Sequence, residues 1–255
     1  MTITNHSIII LRHGQSTWNQ RNLFTGWEDA DITHKGEIEA SKAGKLLKKN
    51  NLKFDVAFTS FLRRAIKTLW IVLNEIDQVW IPVHKCWKLN ERHYGHLTGL
   101  NKFEMEKKYG ANLVKKWRKS YHYSPKPIDV KSPIWSGYDN RYDFIPSNEL
   151  PLCESLKITV DRVAQFWDES VIPNLKKNKR VLISAHGNSL RALIMHIENI
   201  TSHDIENLDI PRAKLAAPGI GVCKKPFFPS SFNVSSPFVP SYIVNVSRIQ
   251  SSGVL

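Results

Sequence analysis

Two short segments of the chain are near copies: HGQS at 13–16 follows the apolar run IIIL, and HGNS at 186–189 follows VLISA. An imidazole with one unprotonated nitrogen can attack an electrophile in line with it. A lone histidine at a strand end most often only satisfies its own hydrogen bonds. Two of them, at matching strand-to-loop corners, point to one site at the carboxyl edge of a sheet, where open α/β folds hold ligands. Beside them in the sequence stand Arg12, Arg64 at the start of a helical stretch, Glu91 in KLNERHYGHLTGLNK, and Asn19 with Thr25 and Gly26 in the first loop. Two guanidinium forks, two imidazoles and exposed helix N–H groups suit a tetrahedral dianion, so a phosphoryl group is the expected ligand. His13 is the expected nucleophile, and Glu91 the carboxyl group that gives and takes the substrate proton.

The elements that must position these groups alternate between strand and helix. Residues 8–11, 54–60, 80–83 (WIPV) and 180–185 read as strands. Residues 34–49, 63–76, 154–172 and 188–199 read as helices. Core-facing residues by helical spacing are Ile38, Ala40, Ala43, Leu46 and Leu47 in the first helix, and Ile66, Leu69, Trp70 and Leu73 in the second. Such alternation predicts a mostly parallel sheet with helices on its faces. Residues 85–150 break the rhythm, mixing a helical stretch at 101–122 with proline-bearing loops, as an inserted subdomain over the mouth of the sheet would. After Pro211 the chain is rich in Pro, Ser and Gly, with GIGV and SYIVNV as candidate edge strands.

At 255 residues the chain can bury a full core. No apolar run reaches the roughly 18 residues needed to span a bilayer, and MTITNHS lacks the features of a secretion signal, so a cytoplasmic protein is expected. Cys86, Cys153 and Cys223 are an odd number with no metal-ligand spacing, and they fit reduced thiols. The formal charge of +13 calls for an anionic partner. Its lysines are spread over solvated helix ends, and five basic residues with no acid lie beyond Pro211. That distribution favours a small phosphorylated substrate over nucleic acid or a membrane surface.

The segments LRHGQSTWN, NLFTGWEDADIT, FTSFLRRAIKTLW, WKLNERHYGHLTGLNK, LPLCESLKITVDRV and LISAHGNSLRAL together resemble cofactor-dependent phosphoglycerate mutase, of the histidine phosphatase superfamily, from about Ser7 to Pro211. The resemblance implies a three-layer α/β/α sandwich and interconversion of 3- and 2-phosphoglycerate in glycolysis and gluconeogenesis. It further implies priming by 2,3-bisphosphoglycerate, no metal, and a homodimer or tetramer. It makes His13 the phosphorylated histidine, with Arg12, Arg64, His186, Asn19 and the Gly187 corner around the phosphoryl group and Glu91 shuttling the proton. Thr25, Gly26, Tyr94, Lys102, Arg118 and Lys119 would hold the substrate carboxylate and its second phosphate, and Asn188 would help orient the site. The implied catalytic domain is 1–211, with 85–150 inserted and 212–255 a divergent tail.

The chain also departs from the family pattern. Gln15 stands where glutamate is usual and Lys119 where a second arginine is usual, which keeps the charge but loses the bidentate fork. The family's Thr-Gly-X-Pro segment and following strands are not recognisable after Pro211, so the sheet edge is either rebuilt from other sequence or left incomplete. Two further readings follow: a synthase or phosphatase acting on the bisphosphate, and a catalytically impaired paralogue.

Overall fold

Ile8, Ile9, Ile10 and Leu11 are all buried, and they face alternately into two different cores. Side chains along a strand point in turn to opposite faces of the sheet, so a continuous apolar run belongs to a strand covered on both sides. The structure, a computed structural model, describes residues 6–210 and 242–246. In chain order its main elements are β1 (His6–Arg12), the short α1 (Thr17–Gln20), α2 (His34–Lys49), β2 (Val56–Thr59), α3 (Arg63–Glu75) and β3 (Val83–Lys85). There follow α4 (Lys102–Tyr109), α5 (Ala111–Lys119), α6 (Leu156–Phe166), α7 (Ile172–Lys176), β4 (Val181–Ala185), α8 (Gly187–Glu198) and β5 (Tyr242–Val246).

The sheet order is β3-β2-β4-β1-β5, with the first four strands parallel and β5 antiparallel to β1. On one face Ile9, Leu11, Ala57 and Leu182 pack on Ala43 and Leu47 of α2 and on Leu69, Val72 and Leu73 of α3. On the other, Ile8, Ile10, Phe58 and Ile183 pack on Val163 and Phe166 of α6 and on Leu190 and Leu193 of α8. This is the expected three-layer α/β/α arrangement with a mostly parallel sheet. Among the described residues no helix is long and apolar enough to cross a membrane.

Several details differ from the sequence expectation. Ile38 is 43% exposed, because the buried stripe of α2 runs through Gly36, Ala40, Ala43, Gly44 and Leu47, and a residue two positions away points elsewhere. Trp70, 41% exposed, likewise falls one position beyond the α3 stripe of Ala65, Thr68, Leu69, Val72 and Leu73. The third strand is not WIPV: Trp80 is exposed, and the ladder with β2 begins only at Val83, after Pro82, which has no N–H to donate. The helical stretch at 101–122 breaks into α4 and α5 at Gly110, whose φ of 84° few other residues adopt cheaply. The helix over 154–172 passes from α6 through a wider π-type turn at Trp167–Val171 into α7, next to Pro173. Within SYIVNV, Tyr242–Val246 form β5, which covers the β1 edge; GIGV and the rest of the tail lie outside the described residues.

The turn after α3 pins the entry to β2. Gln78, 4% exposed, accepts from the Phe54 N–H (2.9 Å) and donates to the Phe54 carbonyl (3.0 Å). Gln78→Met keeps the volume but strands both backbone groups, so it should lower unfolding free energy by about 2–4 kcal/mol. A urea midpoint unchanged from the parent protein would contradict this role.

Candidate active site

The register of β1 on β4 pairs Arg12 with Ala185, so the next residue of each strand is a histidine. The His13 N–H donates to the Ala185 carbonyl (3.0 Å), and the His13 and His186 rings stand 5.0 Å apart, tilted by 57°. Both are buried. The His13 Nδ1 lies 2.7 Å from the Gly14 carbonyl, which can only accept. Nδ1 therefore carries the hydrogen, and Nε2 carries the lone pair. The loop is held in turn by the Gly14 N–H donating to Thr68 Oγ1 (3.1 Å). His186 Nε2 is 2.7 Å from Ser60 Oγ, at the end of β2. Burial, reinforced by Arg64, His13 and Arg12, drives the His186 pKa well below the ordinary histidine value, so the ring is neutral.

The arginines are fixed by backbone carbonyls. Arg64, at the start of α3 and 1% exposed, donates to the carbonyls of Glu28 (2.8 Å) and Gly26 (2.9 Å). Burial lowers its pKa to about 10, which leaves it charged at neutral pH. Arg12 donates to the Ile210 carbonyl (2.6 Å) and lies against Gly187, the first residue of α8. Asn19 and Ser16 cap α1 reciprocally: each backbone N–H meets the other's side-chain oxygen at 3.2–3.3 Å, which leaves the Asn19 Nδ2 as the donor for a ligand.

Glu91 is buried, and its Oε1 accepts from the N–H groups of Arg92 (2.9 Å) and Asn188 (3.0 Å). Oε2 is then the oxygen free to carry a proton. Arg92 makes no ion pair with Glu91; its Nη2 donates to the carbonyls of Trp117 and Arg118. Gly26, at φ +53°, lies against the Tyr94 N–H, which a Cβ there would approach to 3.2 Å. The Tyr94 hydroxyl accepts from Asn188 Nδ2 (3.2 Å), while its ring packs on Phe24 and shares a small core with the buried Trp117. From residues 85–150 come Lys102, whose Nζ donates to the Leu23 carbonyl (2.6 Å), the half-exposed Arg118, and Lys119, paired with Asp209.

Every residue assigned a site role from sequence, His186 excepted, lines one cavity of about 150 Å³; His186 supports His13 from beside it. Three more residues line it: Arg191, Asp209 and Ile210. Arg191, donating to Asn188 Oδ1 (2.9 Å), was legible in principle, since it lies three residues along the same helix face. Asp209 and Ile210 reach the site by tertiary folding alone. The lining carries Arg12, Arg64, Lys102, Arg118, Lys119 and Arg191 against Glu91 and Asp209, a strongly cationic cup. Among the described residues no His, Cys, Asp and Glu cluster could hold a metal ion.

The family model for the histidine phosphatase superfamily (branch 1) matches residues 8–135 and 133–219. The chain belongs to this superfamily. Similar solved structures include Mycobacterial hydrolase 1, 20% identical, with a TM-score of 0.63 over 82% of this chain and 86% of that one. A mycobacterial glucosyl-3-phosphoglycerate phosphatase complexed with VO3 is 22% identical, with a TM-score of 0.61 over 82% and 90%. A phosphoglycerate mutase from Bacillus anthracis str. Sterne is 22% identical, with a TM-score of 0.56 over 77% and 82%. At these identities the likeness is one of fold.

Burial also lowers the pKa of His93, which accepts from the Gly95 N–H, to about 4. The folded state thus binds fewer protons than the unfolded chain below the ordinary histidine value of 6.5, so stability is full above it and is lost as pH falls. Unfolding free energy should drop by roughly 3 kcal/mol from His93 between pH 6.5 and 4, with His186 adding to the fall. Urea melts across this range check it, and His93→Gln should flatten the slope.

Proposed function

We propose that the protein is a phosphoglycerate mutase, interconverting 3- and 2-phosphoglycerate through a phosphohistidine at His13 primed by 2,3-bisphosphoglycerate. The observation that carries this is the single cup in which the His13 imidazole, the half-buried Arg12 and the buried Arg64 on the sheet side meet Lys102, Arg118 and Lys119. A ligand with one anionic group would need only the first set; a ligand with two would use both. The donor set fits a bisphosphate, which when bound supplies the phosphoryl group that charges His13.

His13 Nε2 bonds to phosphorus as the bond from phosphorus to the sugar-acid oxygen breaks, and Glu91 Oε2 delivers its proton to that oxygen. Arg12 and Arg64 hold the equatorial phosphoryl oxygens, where charge spreads in the transition state. The neutral His186 ring adds no positive charge to repel its neighbours. Transfer of the phosphoryl group from His13 to the free hydroxyl of a bound monophosphoglycerate reverses these motions, with Glu91 taking the proton, and the bisphosphate so formed then gives its original phosphoryl group back to His13. Lys102, Arg118, Lys119 and Tyr94 hold the remainder of the substrate.

A second reading, a phosphatase of the bisphosphate or a related phosphate ester, is favoured by one feature. The Asp209 carboxylate stands beside Lys119, inside the cup that would hold the second anionic group, and weakens the grip on it. A loosely held intermediate is released, and water then meets the phosphohistidine.

Incubation with phosphorus-labelled 2,3-bisphosphoglycerate should give an acid-labile, base-stable adduct, absent from His13→Ala. Adduct retained in that variant would discard the assignment, and none in the folded parent protein would favour an impaired paralogue. A coupled mutase assay with and without primer separates the two enzymatic readings. In it Glu91→Gln should reduce kcat by about 10²–10⁴-fold.

A further inference from the structure

Glu91 stands on a stretch with little regular structure, between single turns at Trp87–Leu89 and Gly95–Leu97. Such a backbone needs an external hold to keep a carboxyl group at a fixed place. One buried ion pair supplies it. Arg162 of α6 donates from Nε to Glu154 Oε1 (2.6 Å) and from Nη2 to Glu154 Oε2 (2.9 Å). The same guanidinium donates to the carbonyls of Lys88 (2.5 Å) and of Glu91 itself (3.1 Å). Glu154 completes the grip, its Oε2 accepting the His93 N–H (2.7 Å) while its own N–H donates to the His93 carbonyl (2.9 Å). The side chains are 7% and 0% exposed. A buried pair of this kind adds little net stability over apolar residues of similar volume, and its best attested use is to specify one arrangement.

We propose that Arg162 and Glu154 are positioning residues that clamp residues 88–93 and so hold the Glu91 carboxyl at the leaving oxygen. The proposal rests on Glu91 being the proton donor to that oxygen. Loss of the clamp then matters only where the leaving group needs a proton. 4-Nitrophenyl phosphate gives its phosphoryl group to His13 with release of 4-nitrophenolate, a stable anion that needs no proton; 2,3-bisphosphoglycerate releases an alkoxide oxygen, which does.

The test measures single-turnover phosphorylation of His13 from each donor in the parent protein, in Arg162→Lys, and in the double variant Glu154→Gln/Arg162→Met. The double variant leaves no unpaired buried charge, so it reports even if the single variant folds poorly. We expect labelling from 4-nitrophenyl phosphate within about 3-fold of the parent, and labelling from the bisphosphate lowered by about 10²-fold, because Glu91 is retained but displaced from the leaving oxygen. Equal loss with both donors, or no loss with either, would overturn the clamp. Failure of the parent protein to label from either donor would sink the reading of His13 itself and this inference with it.

Discussion

The parallel pairing of β1 with β4 is the constraint on which the rest of the site depends. It sets Arg12 opposite Ala185, and the residue that follows each is a histidine. A slip of one residue would turn Ile8–Leu11 inside out with respect to the two cores, so the packing on both faces of the sheet enforces the register. The geometry of the candidate site is thereby set by apolar packing many residues from the cavity. The ring-to-ring distance of 5.0 Å is a consequence of that register.

Around this pair the fold solves an electrostatic problem. Six cations line one small cavity and would repel one another in the absence of a ligand. The buried guanidiniums are steadied by main-chain carbonyls: Glu28 and Gly26 for Arg64, and Lys119 and Ile205 for Arg191. Carbonyl dipoles compensate positive charge without cancelling it, so the cup keeps its attraction for an anion. Burial keeps His186 neutral in the same space. Asp209 differs in kind, since its full negative charge offsets Lys119 at the side where Arg118 and Lys102 also arrive.

Residues 85–150 and the sheet contribute in different ways. The sheet holds His13, Arg12, Arg64 and Asn188 at the ends of regular elements, where ladders and helix bonds define their positions. Glu91 and Tyr94 lie on irregular chain, and their positions come from side chains reaching across the molecule, such as Arg162, Glu154 and Asn188. Irregular backbone of this kind leaves no periodic mark in a sequence.

That contrast separates what is legible in the sequence from what is not. The alternation of elements, the two His-Gly corners and the cationic residues with Glu91 were legible in the sequence, because local apolar patterns and side-chain chemistry express them directly. Helical spacing alone places Ile38 and Trp70 in the core, yet both are exposed, because a helix face is defined by what packs on it; here the small residues of α2 let α3 approach. WIPV failed as a strand for want of a donor at Pro82. The sequence by itself determined which groups were present and which strand ends would carry them. Only the tertiary structure decided that β5 from the unfamiliar tail would complete the sheet, that Arg191 and Asp209 would enter the cup, and that Arg162 would hold Glu91. Those contacts join residues far apart along the chain, and the free energy that selects them belongs to the whole packed arrangement.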